Sequence, residues 1–258
     1  ISNTSGAFTC AYAHSGIHTI SITGTFPRLY LPIRSSDASS KPTERSMIKS
    51  IEQWGNIQWK TFENILASTS NMTAINAQDI PDLSQVTSME GAFVNSGIRG
   101  GVDFSLWDVS NVTNMRDTFA YSQINPLISE WDVSNVTTMN QMFNYNPYFN
   151  QDLSRWDVSN VTSLRWMFHE AHRFTSDLSN WDVSSATNAS WMFNNAHAFN
   201  SDLASWSTGS LTDVDSMFYR AYNFTNNDLS SWDVSSVEQH DNFILRSGDG
   251  NIEPNWVD

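Results

Sequence analysis

The sequence predicts an α/β solenoid, a stack of short coils with a parallel sheet on one face and short helices on the other. Two observations carry that expectation. First, Trp107, Trp131, Trp156, Trp181, Trp206 and Trp232 recur at intervals of 24 to 26 residues, each inside a variant of the same phrase, "DLSxWDVSNVTxMxxMF". Second, within one phrase the apolar residues keep a fixed spacing that no single unit could bury alone, so neighbouring units must stack to form a core.

The elements follow from one unit. Leu153, Trp156, Val158, Val161 and Leu164 follow the pattern L-x-x-L-x-L-x-x-L, the apolar spacing of leucine-rich repeats. Trp156 and Val158 alternate around Asp157, which places both on one face of a short strand with Asp157 outward. Val161, Leu164, Phe168 and Ala171 then fall at i, i+3, i+7 and i+10, one face of a short helix, with Ser159 or Thr162 available as its cap. A return loop closes the unit.

Four segments result. Residues 1–33 read as an N-terminal β-strand or cap segment, because "GIHTISITGTF" alternates before Pro27. Residues 34–80 read as a linker followed by a capping helix, in "MIKSIEQW", and a degenerate repeat. Residues 81–243 form the repeat array, and 244–258 a polar C-terminal cap.

Composition narrows the function. The 258 residues include 13 Lys plus Arg against 27 Asp plus Glu, a formal net charge of −14. Such a surface repels phosphate backbones and anionic lipid, so nucleic acid and membrane insertion are not expected as partners. No apolar run of about 18 residues is present to span a bilayer. Cys10 is the single cysteine, which excludes an internal disulfide and a thiolate metal site. The chain begins at Ile1 rather than Met, and it reads as a processed or excised piece of a larger anchored chain.

The phrase "WDVSNVTxMxxMF…FNxDLSxWDVS" resembles the repeat of about 25 residues in BspA-like leucine-rich-repeat surface proteins of bacteria. The lead-in "GIHTISITGTFP", "IEQWGNIQW" and "PDLSQVTSM" is similar to the segment that precedes that array. The resemblance implies a right-handed, leucine-rich-repeat-like coil and a secreted or cell-surface location. It implies a binding or adhesion role without enzymatic activity, and it brings no catalytic residues. A glycan or a surface protein of a host or neighbouring cell is the partner class it suggests. A non-binding spacer within a larger surface protein is the competing expectation.

Candidate site residues follow from departures from the repeat. "HEAH" at His169–His172 lacks the i, i+4 spacing of a metalloprotease, and in register its first histidine aligns with Asn144, Asn194 and Tyr219. His172 aligns with His197, with Pro147 and Tyr222 on either side, and the two imidazoles are expected either to stack on a partly exposed turn or to share a metal. Trp166 and Trp191 occupy a position held elsewhere by Asp117, Gln141 and Ser216. The framework therefore does not require an aromatic there, and the pair either packs against neighbouring helices or forms a ligand surface for a sugar ring or partner aromatic, extended by Tyr145, Tyr148, Tyr219 and Tyr222 and joined by His172 and His197. Asp108, Asp132, Asp157 and Asp182 form an outward column, in which like charges about 5 Å apart require compensation. Neighbouring serines or backbone amides would supply it, or bridging Ca2+ or another divalent cation. No cofactor is otherwise expected.

Overall fold

The computed structural model describes Ile17 and residues 44–256; the expected strand segment in 1–33, Cys10 and the linker to residue 43 otherwise lie outside the described residues. The chain enters through a 3-10 turn, Glu44–Met47, and four strands follow: β1 (Ser50–Ile51), β2 (Ala74–Ile75), β3 (Arg99–Asp103) and β4 (Gln123–Leu127). β1 pairs in parallel with β2, and β3 with β4. Beyond them a single line of parallel bridges runs from Ser88 through Asn114, Thr138, Ser163, Asn188 and Asp213 to Gln239. Each step advances by 24 to 26 residues, one repeat, so successive repeats lie side by side as a stack of coils.

The expected helices are absent among the described residues, and hydrogen bonding explains why. The amides of Leu164, Trp166, Phe168 and Glu170 donate to Asn188, Ser190, Met192 and Asn194 of the next coil. The intervening amides of Met167, His169 and Ala171 donate three residues back within their own coil. A helix would have turned all of them inward. Instead Trp166 and Glu170 both take a left-handed backbone, φ 60°, which aims alternate amides along the stack. The i, i+3 spacing that suggested a helix reports a succession of tight turns.

The strand expected at Trp156–Val158 is also absent. Trp156 and Val158 are buried and Asp157 is exposed, as the alternation required. Yet the Trp156 amide closes a turn on the Leu153 carbonyl, and Val161 closes the next on Val158. Side chains join the coils here instead: the indole N–H of Trp156 reaches the Ile128 carbonyl and that of Trp181 the Leu153 carbonyl. The Asn135 and Asn160 amides of the "NVT" phrases donate to the carbonyls of Ser110 and Ser134. The segment 47–54 is no helix either, because the Lys49 and Ile51 carbonyls accept amides from Thr73, Asn76 and Ala77. Bonded coils therefore reach back well before residue 81, and forward to Ile252, opposite Asp228.

The interior is two columns of phenylalanine. Phe143, Phe168, Phe193 and Phe218 stack at 5.5–5.6 Å between successive coils, with planes within 8° of parallel. Phe149, Phe174, Phe199 and Phe224 form the second column, and Phe168 meets Phe174 at 4.0 Å. Each buried ring contributes roughly 1.5–3 kcal/mol by removal from water.

Among the described residues the two ends of the stack are finished differently. The buried Arg45 guanidinium donates to the Asn64 and Ala67 carbonyls at 2.8 and 2.6 Å. At the other end Trp256 stacks on His240 at 4.3 Å and packs edge-on against Phe243. Among the described residues no helix is long and apolar enough to cross a membrane.

Candidate functional site

The outward aspartates are held by their own repeat. Asp108, Asp132 and Asp157 each accept the amide and the hydroxyl of the serine two residues on, with Oδ1 at 3.0–3.1 and 2.6 Å. Asp182 accepts the Ser184 amide at 3.0 Å. The serine hydroxyl, then the serine amide, holds the Asp132 and Asp182 carboxyls below the usual carboxylate range. A second row ties down the return loop: Ser201 donates to Asp177 while its oxygen accepts the Leu178 amide. The serine bonds to Asp108, Asp132 and Asp157 are one of the two forms of compensation expected for the column of charges. Among the described residues no group of three or more His, Cys, Asp or Glu is placed to hold an ion.

The candidate aromatics fall into two rows. In the first, Tyr121 stacks on Tyr145 at 5.1 Å and Tyr145 meets His169 edge-on at 4.9 Å. His169 then contacts Trp166 at 5.3 Å, and Trp166 meets Trp191 at 5.7 Å with planes tilted by 40°. In the second, His172 and His197 stack at 4.4 Å and 5°, and Tyr222 continues the stack at 4.8 Å. Tyr148 lies beside that row under the Arg173 guanidinium, at 4.8 Å. Tyr219 joins neither row and carries Arg220 over its ring.

Polar contacts bind the rows to the frame. Trp191 donates its indole N–H to Asp215 at 3.0 Å, and the Glu170 carboxylate accepts from His172 Nε2 at 2.7 Å. His169 is buried with Nδ1 2.9 Å from the Asn144 side-chain oxygen, and burial pushes its pKa below the ordinary histidine value. Burial, then the neighbouring His172, does the same to His197. The Tyr145 hydroxyl is pushed up by burial and by the Glu170 charge. The "HEAH" histidines thus part company, His169 inward to Asn144 and His172 outward to Glu170.

The sequence profile of one family, described as Mycoplasma protein of unknown function, DUF285, matches the chain three times in overlapping windows, at residues 60–163, 87–197 and 155–255. The chain belongs to the DUF285 family. Overlapping matches are what a repeat array gives, since the profile fits again after whole coils. No curated protein and no solved structure matches the chain.

In this DUF285 chain the backbone beneath the first row is the notable feature. Every coil has two left-handed positions four residues apart. The first holds Asn64, Gly91, Asp117, Gln141, Ser216 and Asn242 in six coils, but Trp166 and Trp191 in the other two. The second holds Ser68 and Asn95 in early coils, then Tyr121 and Tyr145. Left-handed backbone costs an ordinary side chain about 1–2 kcal/mol, which Gly, and to a degree Asn or Asp, avoids. Across the coils these positions hold small residues and also larger ones, Gln141, Glu170, Arg220 and Arg246 among them, and at four of them the side chain is a large ring. None is a fully buried core residue: Tyr121 is 47% exposed, Tyr145 43%, and the tryptophans are half-buried.

Sequence reasoning missed Tyr121, His169, Glu170, Arg173 and Asp215 as members of these rows. Tyr121 was readable, being one repeat before Tyr145. The others join through the backbone reversal at Trp166 and Glu170, which no apolar spacing records.

Proposed function

We propose that the chain is a binding module of a BspA-like, leucine-rich-repeat-type solenoid, secreted or displayed at the cell surface, without enzymatic activity. Its partner is a protein surface that docks on the two aromatic rows. The observation that carries this reading is the line of four partly exposed rings, Tyr121, Tyr145, Trp166 and Trp191, at left-handed positions that other coils fill without an aromatic.

Ring geometry supports a protein over a sugar. Tyr121 with Tyr145, and His172 with His197, cover each other's faces, so the rows offer edges, hydroxyls and imidazole nitrogens outward. A pyranose stacks on an open ring face, whereas Tyr, Trp and Arg presented by edge and tip are the composition of protein–protein hot spots. A uniform spacer would repeat one residue in every coil, and these columns do not.

The test is a screen of the intact chain on arrays of extracellular proteins and of glycans, followed by the Tyr145→Asn, Trp191→Asn, Tyr222→Asn triple variant. Removing three rings from a hot spot at 1–2 kcal/mol or more each weakens protein hits by about a hundredfold or more. Hits confined to glycans, or protein hits that the triple variant retains, contradict the reading.

A further inference from the structure

Ala74 in β2 and Arg99 in β3 stand 25 residues apart, the same station in successive coils, yet the two strands belong to separate sheets. β2 is paired on its far side with β1, and β3 on its far side with β4. Between them opens a cleft of about 440 Å3, within the range of ligand sites. Parallel pairing sends the N–H and C=O of alternate residues to one neighbour. Among the described residues no strand pairs with β3 on the side of the cleft.

The walls fit a backbone. β3 reads Arg-Gly-Gly-Val-Asp and exposes its first three residues. A Cβ placed on Gly101 would meet nothing closer than the Asn125 carbonyl at 3.9 Å, so Gly101 leaves room rather than avoiding a clash. Glycine in a strand marks a point where another backbone approaches. The floor is apolar, formed by the buried Trp54, Phe104 and Trp107. The rim carries Leu106, 73% exposed, and Ile80, 47% exposed. Asp79 and Asp103 outnumber Arg99 along the lining, and serine hydrogen bonds hold the Asp103 carboxyl below its usual range.

We infer that this cleft captures an extended peptide segment of a partner protein, added as a strand along β3, with apolar side chains on the aromatic floor and basic side chains at the acidic rim. Main-chain bonds to β3 supply affinity, and the alternation of side chains supplies specificity. The site is separate from the aromatic rows, so its fate is independent of theirs.

The experiment uses the intact chain and a short peptide of alternating valine and lysine, blocked at both ends. A control peptide of equal charge carries proline at alternate positions. The first peptide binds at least about tenfold tighter than the control, since proline removes strand donors, and it slows hydrogen exchange at Arg99–Asp103. Gly101→Val and Leu106→Ser each weaken it by about tenfold, while the aromatic triple variant leaves it unchanged. Equal affinity for both peptides, or no loss in either cleft variant, overturns the proposal. Slow exchange across Arg99–Asp103 in the chain alone also overturns it, because the chain would then fill the cleft itself.

Discussion

Phe168→Ala lowers the unfolding free energy by about 3–5 kcal/mol, and urea denaturation measures it. The ring is wholly buried and sits between Phe143 and Phe193 at 5.6 Å on either side. It also stacks on Phe174 at 4.0 Å within its own coil and faces Trp181. The truncation leaves a void bounded by five rings that backbone bonds hold at fixed spacing, so the site cannot collapse. It also cuts the phenylalanine column near its middle. In a stack where each coil contacts only its neighbours, a weak interface lowers cooperativity as well as stability. The denaturation slope should fall along with the midpoint.

Arg45→Met is expected to cost about 2–4 kcal/mol, close to that of a buried charged hydrogen-bond donor removed from two acceptors. In later coils the carbonyl before the second left-handed position accepts an amide from the preceding coil, as Asn194 accepts from Glu170. Ala67 holds that place in the first coil, and the Arg45 guanidinium takes the part of the donor. Methionine keeps much of the buried stem while the Ala67 carbonyl loses the guanidinium and the Asn64 carbonyl keeps only the Ala67 amide. The loss should be local: hydrogen exchange accelerates at residues 62–68 and stays slow at 189–195. Equal acceleration in both segments would contradict a capping role for Arg45.

The repeat and its buried residues were legible because stacking forces the same apolar choice every 25 residues. Trp156, Val158, Val161, Leu164, Phe168 and Ala171 are all buried. The backbone between them was not legible. An i, i+3 spacing satisfies both a helix and a chain of tight turns, and the choice depends on whether alternate amides find acceptors in a neighbour. Left-handed residues decide it, and they announce themselves only where Gly or Asn fills the position. Trp166, Tyr145 and Glu170 hide it. The aspartate column was visible as a column, and the serines two residues on were readable as its first compensating partners. The cleft beside β3 had no signal beyond Gly100 and Gly101, because an unpaired edge is a property of two coils together.

If the rings at left-handed positions serve the proposed partner and not the fold, their removal leaves stability nearly unchanged. The most direct test is the thermal and urea stability of the Trp166→Asn, Trp191→Asn double variant, with asparagine as the small residue already found at that position in Asn64 and Asn242. Relief of backbone strain offsets the lost half-buried contact, and the Asp215 carboxylate freed of Trp191 turns to solvent. The double variant therefore unfolds within about 1 kcal/mol of the parent. A loss of about 3–5 kcal/mol, matching that of Phe168→Ala, would contradict the claim and place both tryptophans in the core.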